Sequence, residues 1–352
     1  ECSTGRTRAG SAYVIWIVGR KRPQKTVTTG SLRGFPGYLS PMLDTPLMKY
    51  ARVFAFLLLA AVTVYGAYGF FTGDWTSAAN FWRSQLPVIP WVAALALVDV
   101  ALEAIGWMWV YHRFRIPAFD RGGLASYLSS RAGLLLPAQM GRLIRPDAMV
   151  RLGKGSLSDC LKAEAVAFVL DSTSVFGLLA ALLAFKYRPI LAPFAALAVI
   201  AVVLSLGNWA ARFLSGTRLE LPLAFWWQWS TLAIVVVEMI GWIAHGVALH
   251  VVIRDLPGDF NLLDSLLYAP GSAVLGVATG LPGGIGATEG LLGASLRLMH
   301  IPSEHLVLAV GAFRLITFWI WIPIGWLALG AVRRMARERR RALQSEVEVV
   351  GA

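Results

Sequence analysis

The chain has 352 residues, 57% of them hydrophobic and only 15% charged, with a formal net charge of +12. Soluble domains carry about 25% charged residues, so this balance points to a membrane protein. The lysine and arginine excess sits mostly in loops and tails, which argues against nucleic acid and for positive-inside topology and anionic lipid headgroups.

In chain order, residues 1–41 come first and stand apart. The stretch Ser31–Pro41 is rich in glycine, serine and proline, and the apolar run Tyr13–Val18 is too short for a span or a signal-peptide core. Residues 1–41 are therefore expected to be disordered or non-native, with Met42 or Met48 as natural starts. A membrane domain over 42–334 and a basic cytoplasmic tail over 335–352 follow.

Apolar runs of about twenty residues mark spanning helices. They are Tyr50–Phe71, Leu86–Val110, Leu161–Phe185, Ile190–Leu206, Leu221–Val252 and Leu306–Val332. The fourteen tryptophans suit interfacial belts. Arg333, Arg334, Arg337, Arg339, Arg340 and Arg341 put the C-terminus in the cytoplasm. The loop from Tyr111 to Lys162, with Arg113, Arg115, Arg121, Arg142, Arg145, Arg151 and Lys154, belongs on the same side.

Two words recur. Leu102-Glu-Ala-Ile-Gly-Trp107 returns as Val237-Glu-Met-Ile-Gly-Trp242, and Leu136-Pro-Ala-Gln-Met-Gly141 returns as Leu281-Pro-Gly-Gly-Ile-Gly286. Leu86–Val110 runs inward and precedes a hairpin from the cytoplasmic side, broken at Pro137. Leu221–Val252 runs outward and precedes a hairpin from the outer side, broken at Pro282. The expected fold is an all-α polytopic membrane protein of about six full spans plus two hairpins of broken helices, arranged as an inverted-topology repeat. Such repeats place their binding site near the midplane, at broken helices.

The breaks carry the candidate binding residues. Pro282, Gly283, Gly284 and Gly286 free backbone groups and allow close approach of a ligand. The helix that follows aims its N-terminal amides at the cavity, which favours an anion. Glu289 either caps those amides or titrates, and a plain tight turn with a capping glutamate is the alternative. The first break offers Gln139 and Gly141, then Arg142 and Arg145 with Arg131 and Arg151 nearby. Guanidinium forks match phosphate oxygens, whereas ordinary positive-inside arginines are the simpler reading.

Charges inside apolar runs are Asp99, Glu103, Glu164, Asp171, Glu238 and Arg314. Asp99 and Glu103 share a helix face, as do Glu164 and Asp171. Arg314 needs a partner, for which Glu238, Glu289 and Asp171 are the candidates. Glu103, Asp171, Glu238 and Arg314 serve as coupling groups or as permanent ion pairs. His245 and His250 are spaced wrongly for a metal site and read as core or interfacial residues. Cys2 and Cys160 provide no disulfide framework. No metal, catalytic constellation or cofactor is expected.

The Pro137-x-x-x-Gly141…Arg145 segment and Pro282-Gly-Gly-Ile-Gly-x-x-Glu289, taken together, resemble the flippase-like membrane domain of lysylphosphatidylglycerol synthases and its stand-alone relatives. The resemblance covers roughly Met48 to Arg334. It implies movement of charged or glycosylated lipids between leaflets, and not the lysyl transfer performed by a separate soluble domain. Two departures stand out. Gly141 is followed by Arg142 where the family usually has an acidic residue. Ala167-Phe168 replaces a Glu-Arg pair ahead of the aspartate matching Asp171.

The expectation is a non-enzymatic flippase in the inner membrane, moving a phosphate-bearing or glycosylated lipid. Its partners are anionic or phosphate-bearing membrane lipids and, potentially, lipid-synthesis enzymes. The alternatives are an ion-coupled transporter of a small soluble substrate and an accessory subunit of a lipid or glycan synthesis enzyme. An intramembrane lipid transferase ranks last.

Overall fold

The computed structural model describes residues 75–217, 220–222 and 225–351. The expected span Tyr50–Phe71 and the extension 1–41 lie outside the described residues. Among the described residues there is no strand. The helices are α1 (Trp75–Gln85), α2 (Ile89–Arg113), α3 (Arg121–Ser129), α4 (Ile144–Arg151), α5 (Leu157–Tyr187) and α6 (Ala192–Phe213). They continue with α7 (Trp229–Ile253), α8 (Leu262–Ala278), α9 (Ala287–Leu298), α10 (Ser303–Arg314) and α11 (Trp321–Gly351).

Five helical segments among the described residues are long and apolar enough to cross a membrane: Ile89–Arg113, Leu157–Tyr187, Pro189–Phe213, Trp229–Ile253 and His305–Glu346. Each coincides with an expected span, displaced by local chemistry at its ends. α5 starts at Leu157 rather than Leu161 because Ser156 caps it, its hydroxyl accepting from the Asp159 amide at 3.1 Å. α6 packs mainly on α5 and leaves Phe194, Leu197, Val202 and Leu206 exposed, as a lipid-facing helix does. α2 and α7 make the closest pair in the bundle, crossing at glycines of the two repeated words. A side chain added at Gly106 would run into the Glu238 carboxyl, and one added at Gly241 would touch Asp99 Oδ1 at 3.2 Å. Small residues let helices approach in this way inside a bilayer.

The last long helix is not regular. α10 ends at Arg314, a π turn follows over Leu315–Trp319, and α11 continues. Pro323 explains the break: it has no N–H to donate to the Trp319 carbonyl one turn back, so the helix widens just before it. The Ile320 amide bonds instead to the Leu315 carbonyl at 3.0 Å.

Between the spans lie two broken hairpins. The first is α3 with a 3-10 turn (Ser130–Gly133), then a second 3-10 turn (Pro137–Leu143) leading into α4. The second is α8, a 3-10 turn at Pro282–Gly284, and α9. From Arg121 to Gly133 the first arm is about 20 Å long at helical rise, short of the roughly 30 Å hydrocarbon thickness. In each hairpin the arms cross at a glycine pair eight residues apart. Gly133 meets Gly141 backbone to backbone, and Gly276 meets Gly284 with Thr288 wedged beside them. Gln139 (φ 56°) and Gly284 (φ 65°) adopt left-handed backbone at matching points of the two words.

The hairpins occupy opposite halves of the last helix. α3, its 3-10 turn and α4 lie along α11, whereas α9 lies along α10. Their tips meet at the π turn, where Gly283 sits against the Leu134 carbonyl and the Phe318 ring. Leu135, Phe318 and Ile322, with Leu134 and Ile285, seal this junction.

Candidate functional site

All but Glu164 of the charges that the sequence buries in apolar helices converge on one cavity of about 380 Å³ at the meeting of the hairpin tips. Of the predicted residues, Arg131, Gln139, Gly141, Arg142, Arg145, Gly283 and Gly284 line it, together with Glu103, Asp171, Glu238 and Arg314. Pro282 is buried beneath it, Gly286 opens α9, and Glu289 stands one residue layer behind. Arg151 is outside this group and pairs with Asp147 at 2.6 Å, one turn back on α4. Arg142 and Arg145 do not act as one fork, because the 3-10 turn ends between them and sends them to different partners.

Arg145 is the most enclosed guanidinium. It donates to Glu103 Oε1 at 2.9 Å, Glu164 Oε1 at 3.3 Å and Ser130 Oγ at 2.8 Å, and its plane lies 4.5 Å from the Tyr127 ring centroid. Arg131 shares Glu103, at 2.5 Å, and donates to the Tyr127 hydroxyl at 2.6 Å. Arg142 pairs with Asp171 and stacks 4.9 Å from Phe168. That phenylalanine provides a flat face for the arginine.

The two repeated tryptophans have equivalent tasks. Trp107 Nε1 donates to Glu164 Oε2 at 2.8 Å, and Trp242 Nε1 donates to Asp171 Oδ1 at 3.2 Å. The two acceptors are seven residues apart on α5, so the repeat explains the spacing of that carboxylate pair. Tyr111 adds its hydroxyl 3.1 Å from Glu164 Oε2.

On the other hairpin, Arg314 finds its partner in Glu289, with Nε 2.7 Å from Oε1. Its Nη2 donates to the Gly283 carbonyl at 3.3 Å, and the guanidinium lies 4.0 Å from the Phe318 ring centroid. The second oxygen of Glu289 accepts from the Gly286 amide at 2.7 Å. Glu289 therefore caps α9 and neutralises Arg314 at once; both expected roles for it as a structural group are present. Gly283, Gly284 and Gly286 all have positive φ, and in this turned loop the Gly283 carbonyl joins the Glu289 carboxylate in facing the arginine.

His245, which the sequence places in the core or at the interface, is buried, and it also lines the cavity with Nδ1 3.2 Å from Asp99 Oδ2. The available signal was its place two helical turns from Glu238, on the same face. Glu238 is 3% exposed, and its Oε2 has no hydrogen-bond partner. Gln139 likewise presents a buried Oε1 without a partner. Among the described residues no cluster has the composition of a metal site.

The arrangement can exchange ion pairs. Arg131 and Arg142, the less enclosed pair, are held by carboxylates that an anionic group of similar geometry could displace, and aromatic faces keep the guanidinium planes in place. No curated protein matches this chain. The family model described as the lysylphosphatidylglycerol synthase TM region matches residues 53–325, and the chain belongs to that family.

Proposed function

We propose that this protein translocates a phosphate-bearing or glycosylated lipid across the inner membrane, with no chemical change to the lipid. The observation that carries this reading is the convergence of four arginines and their carboxylate partners on a cavity between two hairpin tips, in a bundle of apolar helices. Family membership supports a role in membrane lipid biology. Charge bias supports a cytoplasmic C-terminus and an inverted repeat, with the first hairpin entering from the cytoplasm and the second from outside.

In the proposed cycle Arg142, only partly shielded by Asp171 and Phe168, is the first group to take a phosphate oxygen. Arg131 then exchanges part of Glu103 for the same headgroup. Arg145 is too enclosed to leave its two carboxylates and holds the hairpin in shape. The loop Gly283–Gly286 receives the headgroup as the two hairpins shift along the last helix, whose π turn supplies the give. The lipid tails remain in the bilayer throughout.

Native mass spectrometry of the purified protein tests this. A lipid with a phosphate or sugar headgroup should stay bound to the wild type and be largely lost from Arg142→Ala. Retention of a small soluble ion or solute in place of any lipid would favour the ion-coupled alternative.

A further inference from the structure

The charges at the cavity do not balance. Arg131, Arg142, Arg145 and Arg314 face Asp99, Glu103, Glu164, Asp171, Glu238 and Glu289. The ion pairs use Glu103, Glu164, Asp171 and Glu289, which leaves Asp99 and Glu238 without an arginine. Glu238 is buried with an unpartnered oxygen at the cavity wall, pinned over Gly106 at the crossing of α2 and α7. Asp99 rests over Gly241 one turn further along α7 and faces His245.

We propose that Glu238 and the Asp99–His245 pair form a proton-binding site that couples transport to proton movement. The inference rests on the transport reading and adds the ion that drives it. An unpaired carboxylate in a low-dielectric cavity is costly, and the neutral acid costs far less. The charged groups sharing the cavity with Glu238 are Asp99 and Glu103 from α2, Asp171 from α5, Arg131, Arg142 and Arg145 from the first hairpin, and Arg314 from α10, already held by Glu289. On α8 the carboxylate is Asp264, engaged by Lys186 at 3.8 Å near the helix start.

Substrate and proton act together. An anionic headgroup that takes the guanidiniums of Arg142 and Arg131 releases Asp171 and part of Glu103, which raises the negative charge around Glu238. The proton already held on Glu238, with one taken up by the Asp99–His245 pair, offsets that charge. Lipid and proton therefore travel in the same direction, and neither repeat reorients readily with only one of them bound.

Two measurements separate the proton site from the transport reading. The first is infrared difference spectroscopy of the protein alone, in phosphatidylcholine nanodiscs, across a pH titration. A protonated carboxyl band should be present in wild type, lost in Glu238→Gln, and shifted in its pH midpoint in Asp99→Asn. An unchanged band in Glu238→Gln overturns the site. The second is translocation of a fluorescent phosphatidylglycerol in proteoliposomes with the membrane potential clamped. Acid on the side of lipid uptake should speed the wild type several-fold, and Glu238→Gln should lose that response. A gradient response retained in Glu238→Gln overturns the coupling. A carboxyl band lost in Glu238→Gln, with no lipid movement in any vesicle, keeps the proton site and overturns its link to transport.

Discussion

At the scale of single residues, the two glycines of the repeated words are as informative as their glutamates. Gly106 exists because Glu238 occupies the space where its side chain would be. Gly106→Ala is expected to push that carboxyl off the helix crossing and cost about 1–3 kcal/mol, the usual range for overpacking. A lower melting temperature in detergent is the readout, and an unchanged one would show that the crossing is loose. Glu103 carries a heavier burden, since it accepts from both Arg131 and Arg145. Glu103→Ala leaves two enclosed guanidiniums short of a partner, so a loss of about 3–5 kcal/mol is expected. Glu103→Gln, which keeps the acceptor oxygen, should lose less in the same melt.

Outside the membrane, Asp120 caps α3 by accepting from the Gly123 amide at 2.7 Å, and it pairs with Lys154. Burial is the largest single influence and works against its charge, but the Lys154 ammonium and the α3 amides together outweigh it and hold its carboxyl below the ordinary aspartate value of 3.8. For a depressed carboxyl, the stabilisation is complete above the unfolded value and disappears as pH falls through the folded one. Asp120→Ala should therefore cost about 1 kcal/mol at neutral pH, as lost caps do, and progressively less below pH 3.8. Thermal melts of both proteins across that range check the sign: a deficit that persisted at strongly acid pH would contradict it.

At the scale of elements, the hairpins and the last helix set the geometry. The tight glycine crossings leave no room for a side chain between the arms. Gly141→Ala places a methyl against the Gly133 carbonyl, backbone on backbone, where nothing flexible can yield. Loss of folded protein, seen as aggregation on gel filtration, is expected there and not at Gly293, where a side chain would meet nothing. The π turn is a different kind of device. Pro323→Ala restores an N–H for the Trp319 carbonyl and removes the cause of the widening. That variant should melt at an equal or higher temperature yet translocate lipid more slowly, because Arg314 leads directly into the turn. Undiminished translocation would show that the turn has no part in the cycle.

Element positions were largely legible in the sequence. Five described spans fall where apolar length places them, and both hairpins break at the prolines and glycines that announce them. The partner of Arg314 was among three candidates, and geometry selected Glu289 because the cap of α9 brings it there. Legibility failed where the answer depends on facing helices. Asp99 and His245 lie nearly 150 residues apart, and no local pattern announces that α2 and α7 bring them together. Arg142 and Arg145 looked like one clamp by spacing, but spacing assumes a continuous α-helix and the 3-10 turn before α4 breaks that assumption.

At the scale of the whole molecule, the two copies of the motif are asymmetric in charge while similar in backbone. One hairpin brings three arginines to the cavity, and the other brings a glycine loop whose carbonyl and capping glutamate hold Arg314. The α5 carboxylates Glu164 and Asp171 bind one repeated tryptophan each, tying the central helix to both halves. The proposed cycle calls for no large domain motion: exchange of ion pairs at the tips, with slight sliding along the last helix, would turn the cavity from one leaflet to the other.

In the proposed cycle a lipid headgroup passes through this cavity by way of Arg142. The most direct test is fluorescent-phospholipid translocation in proteoliposomes, read by quenching of the outer leaflet, for wild type and Arg142→Ala matched in melting temperature. The account predicts lipid movement well above protein-free vesicles for the wild type and a fall to near background for the variant. Equal rates in the two proteins, or no movement with well-folded wild type, would contradict it.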